Sequence, residues 1–414
     1  LCFVINNYTQ GFAQKAFSLP YSQFGIGEIN LDGSFNNRSF AKGGVAYANG
    51  ISLNLNNIAS LSSLSQTAAE FTMQNRSNFF KNSTEKSFQN DISFYNFALA
   101  FPVNKYNAWA IGYLPYSTLG YKTSFYESVP NVGLAKVQYQ GEGNINRAFL
   151  GTAIKFLSLH NDSILCSAGT TFNFLFGSNF QQGSVEFNPS YKLLSVSYNS
   201  QHYYQGYYFD PSIYLHKKFK KGLISLGFSY QISNSANVIT NYFAQSYYLT
   251  PSQTAATKDV FLTKTDTLNY QLPTSLKAGL YFEKINGIGF SIDYQTIHLN
   301  NPEFTKPLNT LSAACQIDAR KQNKNGFFNN TIYRIGAYYT QTPITIYNHQ
   351  INEWGVTTSF SFPTPGKFAF NKLLIGLTAG TMGTKQNNLI KQNFIVINAG
   401  ILFGDVWFKR SKID

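Results

Sequence analysis

The chain reads as an all-β protein: a transmembrane antiparallel up-and-down β-barrel of about fourteen strands, with an N-terminal hatch in its lumen. Three observations predict this. Stretches of 10 to 14 residues alternate large apolar side chains with small or polar ones along much of the chain, the period-2 pattern of a strand with two different faces. Aromatic residues make up 17% of the 414 residues and charged residues only 12%, as expected where one face meets lipid and aromatic girdles mark the interfaces. No run approaches the ~18 consecutive apolar residues of a membrane-spanning helix.

The opening LCFVINNYTQGFAQ reads as the end of a secretory signal. Gly11 and Ala13 are small residues at the two positions that signal peptidase reads, which places cleavage before Gln14. Residues 1–13 are then a signal remnant, an ordinary N-terminal arm being the alternative. Residues 14–67 are rich in Gly, Asn and Ser, as in FAKGGVAYANGISLNLNNIASLSSLS. They are too polar for a strand and too apolar for a free tail. A plug folded into a polar lumen suits them, with a flexible arm as the simpler reading.

The barrel is assigned to residues 68–414. Residues 287–296, GIGFSIDYQT, place Ile288, Phe290, Ile292 and Tyr294 on one face. Similar alternation marks 68–79, 91–103, 107–117, 146–157, 163–176, 205–217, 222–232, 274–284, 309–319, 330–341, 353–362, 371–382 and 391–403. These lengths suit strands crossing a bilayer at a tilt, which takes ~9–11 residues. The connections sort by length. Those at 104–106, 158–162, 218–221, 285–287, 320–329 and 363–370 are short, and those at 118–145, 177–204 and 235–273 are long. With short turns inside and long loops outside, both termini fall in the periplasm of an outer-membrane protein. No linker or composition shift divides the strand region.

The net charge of +13 does not point to nucleic acid, because its clusters, KKFKK at 217–221 and the tail KRSKID, lack a nucleic-acid module around them. Solvated turns account for it, and contact with anionic lipid headgroups is an intermediate reading. Of the three cysteines, Cys2 lies in the leader. Cys166 and Cys315 fall on apolar strand faces and read as small hydrophobes without a disulfide.

Several segments, taken in order, resemble the FadL-type family of outer-membrane transporters for fatty acids and aromatic hydrocarbons, in particular its Bacteroidota branch. GGVAYANGISLNLNNIASL resembles the family's hatch, which usually carries Asn-Pro-Ala; here Asn57 and Ala59 match and Ile58 replaces the proline. WAIGYLPYSTLGY (109–121) resembles the third strand, and LPTSLKAGLYFEKINGIGFSIDYQ (272–295) the Leu-Pro segment with its hairpin. YRIGAYYTQTPI, INEWGVTTSFSFP, GTKQNNLIKQNF and DVWFKRSKID resemble the later strands and the C-terminal hairpin. The resemblance implies a groove from the loops 177–204 and 235–273, a ligand and hatch region at Gly43, Gly44, Asn57, Ile58 and Ala59, and a lateral gap near Gly112, Pro115 and Gly120. Pro115 has no N–H to give a ladder, so it belongs at a bulge, an edge or a strand end.

Enzyme chemistry is not expected. The five histidines are scattered, with no HExxH, GxSxG or P-loop, and no cofactor or metal is implied. Glu70, Arg147, Lys155, Asp293 and Arg334 are expected to face the lumen and to pin the hatch by hydrogen bonds. Two functions follow. One is passive uptake of a hydrophobic small molecule, with hatch movement and lateral exit. The other is a non-transporting barrel that partners the type IX secretion machinery, a secretion-system subunit then being its partner.

Overall fold

The computed structural model describes residues 19–405 and 407, apart from 84, 131–132, 160–161, 189, 191–192, 250–254, 301–305, 323–327 and 365–370. The signal remnant 1–13, the first residues of the hatch, His160 and the KRSKID tail lie outside the described residues.

The chain begins with a 3-10 turn Pro20–Gln23, a two-residue strand β1 (Glu28–Ile29), a helix α1 (Phe35–Ser39) and a second 3-10 turn Ile58–Ser63. Long strands follow: β2 (Thr67–Lys81), β3 (Lys86–Pro102), β4 (Asn107–Val129), β5 (Gly133–Leu159), β6 (Ile164–Phe187), β7 (Ser195–Phe219) and β8 (Gly222–Gln231). After these come β9 (Ser235–Leu249), β10 (Ala255–Gln271), β11 (Thr274–Lys284), β12 (Ile288–His298) and β13 (Leu308–Asp318). The last four are β14 (Ile332–Ile346), β15 (His349–Pro363), β16 (Lys372–Met382) and β17 (Lys391–Asp405).

The ladders run antiparallel from β2 to β8, pass from β8 directly to β11, continue to β17 and return to β2. That ring is a closed barrel of fourteen strands, and every strand expected from alternation is present. Closure removes the two end edges that an open sheet would expose, leaving an interruption only where β3 and β4 part. On β17, Val396 and Asn398 are 6% and 1% exposed, whereas Ile397 and Phe403 are 49% and 52% exposed. The same inversion recurs around the ring. Thr72, Ser312, Gln316, Thr357 and Thr378 are buried, while Phe71, Ile292, Ile335 and Trp354 face out. Apolar side chains outside and polar ones inside is the arrangement for lipid, not for water. Cys166 and Cys315 are free and share that outward face.

The short connections, such as 103–106, 220–221 and 285–287, lie at one end, the turn rim, together with the end of β17. At the opposite hairpin rim the structure corrects the sequence reading. The described residues of 118–145 and 177–204 mostly continue β4–β5 and β6–β7 rather than forming loops. The segment 235–273 is largely the hairpin β9–β10. Strand β7 forks. Its Ser212–Phe219 part pairs with β8, and its Ser195–Gln205 part pairs with β9. At ~3.3 Å per residue and a ~40° tilt, an eleven-residue strand spans about 28 Å, enough for the apolar band of a membrane barrel. The 27 residues of β5 span roughly 68 Å by the same arithmetic. The expected groove is therefore a standing wall of strands beyond the band.

Residues 19–66 occupy the lumen as a plug. They enter beside Gly120 near the hairpin rim and leave into β2 at the turn rim.

Candidate functional site

The ladder between β3 and β4 is short. It runs from Pro102↔Ala108 to Phe97↔Tyr113 and stops, although β3 continues along β2 to Lys86 and β4 continues along β5 to Val129. Pro115 sits two residues past the last pair, where it removes a ladder donor. A bulge between Pro115 and Ser117 turns Tyr116 into a buried cluster with Ile26 and Tyr208. Pro115 therefore lies inside a continuing strand rather than ending it.

The edge of β4 that β3 leaves open is taken by the plug. Glu28 and Ile29 of β1 pair with Thr118 and Ser117. The Asn30 amide donates to the Tyr116 carbonyl at 2.9 Å, and its side-chain amide donates to the Pro115 carbonyl at 3.2 Å. The Gly120 amide donates to Ser22 Oγ at 3.0 Å, and the Leu19 amide donates to the Gly120 carbonyl. Gly27 has φ +99°, and a Cβ there would stand 2.5 Å from the Thr118 carbonyl oxygen; only glycine permits both. Thus the plug's first residues act as a substitute strand along the freed edge of β4.

Two cavities adjoin this seam. The larger, about 260 Å³, is lined by Asp32 and Arg38 of the plug, Phe94 and Tyr95 of β3, and Tyr113 and Pro115 of β4. The smaller, about 80 Å³, is mainly apolar, with Leu19, Phe24, Ile26, Leu31, Leu308 and Ile344 in its wall. Leu19, Ile29 and Leu31 line both.

The cations lining the larger cavity are already engaged. Arg38 pairs with Asp32 at 2.8 Å, Lys42 with Glu353 at 2.9 Å and Arg76 with Glu28 at 3.2 Å. Arg38 also donates to Gln74 Oε1 and Asn398 Oδ1, and lies 4.1 Å over the Tyr95 ring. Burial alone would lower the pKa of Arg38, but Tyr95 and Asp32 raise it above the ordinary guanidinium value, so the charge persists. Tyr21 donates to the Ile390 carbonyl at 2.6 Å; burial pushes its hydroxyl up to about 12, with that carbonyl acting the other way.

The plug is laced to the wall. The amides of Gly44 and Val45 donate to the two oxygens of Asp293 at 2.9 and 2.8 Å. The Phe35 amide donates to Glu70 at 2.9 Å, and Lys277 donates to Asn56 Oδ1 at 2.9 Å. Asn57 caps the second 3-10 turn through the Ala59 amide and donates to the Ile213 carbonyl at 2.9 Å. Ala59 is held on both sides, its amide by Ser212 Oγ and its carbonyl by Ser167 Oγ. Ile58 lies over Gly151 and Gly169, where any Cβ would come within 3 Å of it. Gly43 and Gly44 meet β12, and Gly44 has φ +73°.

The sequence-expected positions therefore divide. Gly43, Gly44, Asn57, Ile58 and Ala59 are plug anchors, and none of them lines either cavity. Pro115 lines the larger cavity. Gly112 packs on Phe149 and Gly120 binds the plug's start. Of the expected lumen charges, Glu70, Asp293 and Arg334 hold the plug, Arg334 through the Tyr47 hydroxyl at 3.2 Å. Arg147 instead donates to Tyr208 at 3.0 Å, and Lys155 pairs with Asp162 at 2.7 Å beside the turn rim. Sequence reasoning missed Asp32, Arg38 and Tyr95. The available signal was Ser34, whose reciprocal cap with Asn37 starts α1 and so places Arg38. Ser225 lies 3.2 Å from His216 Nδ1, but neither lines either cavity.

The whole chain, residues 1–414, matches the family model described as BamG. No sequence among the curated proteins matches it. Among solved structures it is similar to the P. putida toluene transporter TodX, at 12% identity with a TM-score of 0.59, covering 92% of this chain and 100% of that one. It is also similar to the CymD monoaromatic hydrocarbon channel (11%, TM-score 0.57, covering 92% and 100%). A Pseudomonas aeruginosa FadL homologue aligns at 11% with a TM-score of 0.54, covering 91% and 98%. At these identities the likeness is one of fold.

Proposed function

The chain belongs to the BamG family, and we propose that it works as a passive outer-membrane channel for small, neutral hydrophobic molecules. The observation that carries this reading is the seam where β3 leaves β4, closed by the plug and backed by a contiguous pair of cavities. In this reading the hairpin rim faces outward. A ligand settles in the apolar pocket around Phe24, Ile26 and Ile344. Displacement of residues 19–30 then exposes the break beside Pro115, and the ligand leaves sideways into the bilayer. Such a route keeps an apolar molecule out of water, where its transfer is costly.

Neutral ligands are favoured over fatty acids because Arg38, Lys42 and Arg76 already have acidic partners. A carboxylate in that cavity would have to displace one of them and leave a buried acid unpaired. The Bacteroidota assignment rests on the sequence resemblance.

A second reading has its own observation. The plug carries many buried bonds to the wall, as suits a barrel that stays shut and serves as a partner of secretion machinery. Native mass spectrometry of the detergent-purified protein separates the two. A co-purifying apolar molecule, exchangeable for toluene or another neutral probe, supports the channel. A ligand-free barrel that takes up no probe, and that captures a secretion-pore subunit, supports the partner reading.

A further inference from the structure

At the hairpin rim, the registers of β17–β2 and β2–β3 set three lysines side by side. Lys391 is opposite Lys81, and Lys81 is opposite Lys86. All three lie on the outward face, and Lys81 and Lys86 stand two residues from Phe79 and Phe88 on their own strands. Lys385 joins them from the connection between β16 and β17. Its ammonium is pushed below its usual pKa first by contact with Lys81, then by the charges of Lys391 and Lys86. The two connections are tied together, since the Ser83 amide donates to Asn388 Oδ1 at 3.3 Å.

Like charges directly opposite each other destabilise a sheet, and here four cations converge. None of the four takes part in an ion pair among the described residues. Glu85, the acid of the same hairpin, forms no ion pair with any of them among the described residues. Directly beneath the lysines, Phe79 and Phe88 are 44% and 61% exposed, with ring centroids 5.0 Å apart. Below them Ile395 and Ile397 continue the apolar surface of β17. The patch is thus cationic above and aromatic below, with Ile395, Ile397 and Ile92 set among Ser77, Asn75 and Asn90 further down, broadly the order in which a lipid presents its headgroup and its chains.

We propose that the Lys81–Lys86–Lys385–Lys391 cluster is a binding site for the phosphate groups of a phosphorylated lipid in the surrounding leaflet, with Phe79 and Phe88 against its acyl chains. A phosphate carries about −1.5 to −2 charges and three acceptor oxygens, which matches several ammonium groups that have no acid of their own. The proposal rests on the membrane placement of the barrel with this rim in the headgroup layer, but not on transport.

The test uses the full chain in a neutral detergent, with native mass spectrometry and thermal unfolding as readouts. The probes are a bisphosphorylated lipid A, its dephosphorylated counterpart and inorganic pyrophosphate. The account expects lipid A to bind and to raise Tm, with the other two doing neither. Lys81→Gln/Lys391→Gln should weaken lipid A binding roughly 30-fold, at about a fivefold loss per lysine. Without lipid its Tm should match or exceed that of the wild type, because repulsion has been relieved. Lys81→Arg/Lys391→Arg should retain binding, and Lys220→Gln/Lys221→Gln at the opposite rim should leave it unchanged. Three results would each overturn the proposal: undiminished lipid A binding by the Gln pair, equal binding of the dephosphorylated lipid, or a pyrophosphate shift as large as that of lipid A, which would mark a free-anion site. Heat-modifiable gel mobility checks that each variant has folded.

Discussion

Replacing Asp293 by alanine removes both acceptors that hold the Gly44 and Val45 amides. The two bonds measure 2.9 and 2.8 Å, and Asp293 is buried. Hydrogen bonds to a charged partner contribute ~1.5–3 kcal/mol each. Loss of the pair, partly offset by no longer burying a carboxylate, should cost about 3 kcal/mol, a factor of about 150 in local opening. The barrel ladder through residue 293 uses backbone groups, so β12 and β13 should stay intact. Amide hydrogen exchange with mass readout measures the effect. Peptides covering 40–60 should exchange about a hundredfold faster, and those covering 288–298 and 308–318 should not change. Asp293→Asn should fall between, since one acceptor remains and an NH₂ now faces an amide donor. If the alanine variant protected residues 40–60 as the wild type does, Asp293 would not be the anchor, and the plug would be held by packing alone.

Two other perturbations act on the same plug. Arg38→Ala leaves Asp32 buried without its cation, which typically costs ~3–5 kcal/mol; protease nicking within residues 30–60 should appear in this variant and be absent from wild type. Tyr21, whose pKa burial raises from 10.0 to about 12, stabilises the plug's first turn fully below about pH 10, and that contribution is lost as pH rises through about 12. A difference titration of phenolate absorbance between wild type and Tyr21→Phe should show one group with a midpoint near 12, and a midpoint near 10 would mean an exposed hydroxyl.

The barrel was legible wherever strands cross lipid, because only there must one face be apolar throughout. Residues 288–294 and 395–403 show this, with every outward side chain large and apolar or Ala399. Beyond the band that demand ends. In β4, residues 122–128 are exposed on both faces, and in β10 so are 258–265, so the hairpin extensions looked like loops. The β9–β10 hairpin also breaks register twice, which blurs any period. Composition set residues 14–67 apart from the strands, and the Asn57–Ala59 stretch contacts the wall. The plug's partners were not legible, since Gly44 and Asp293 are 249 residues apart and only barrel closure brings them together. Pro115 pointed to a bulge, an edge or a strand end, and β4 has the bulge. That the plug would take over the edge of β4 was not written locally, because β1 is two residues long and carries no strand signal of its own.

The most direct test of the central claim is a reversible tether across the seam. Ile29 and Ser117 are register partners between the plug and β4, so Ile29→Cys/Ser117→Cys, with Cys166 and Cys315 replaced by alanine, should form a disulfide. Uptake of a radiolabelled neutral hydrocarbon into cells expressing this variant would be measured oxidised and reduced. The account predicts uptake that is abolished by oxidation and restored by reductant. Equal uptake in both states would contradict exit through the plug-sealed break between β3 and β4.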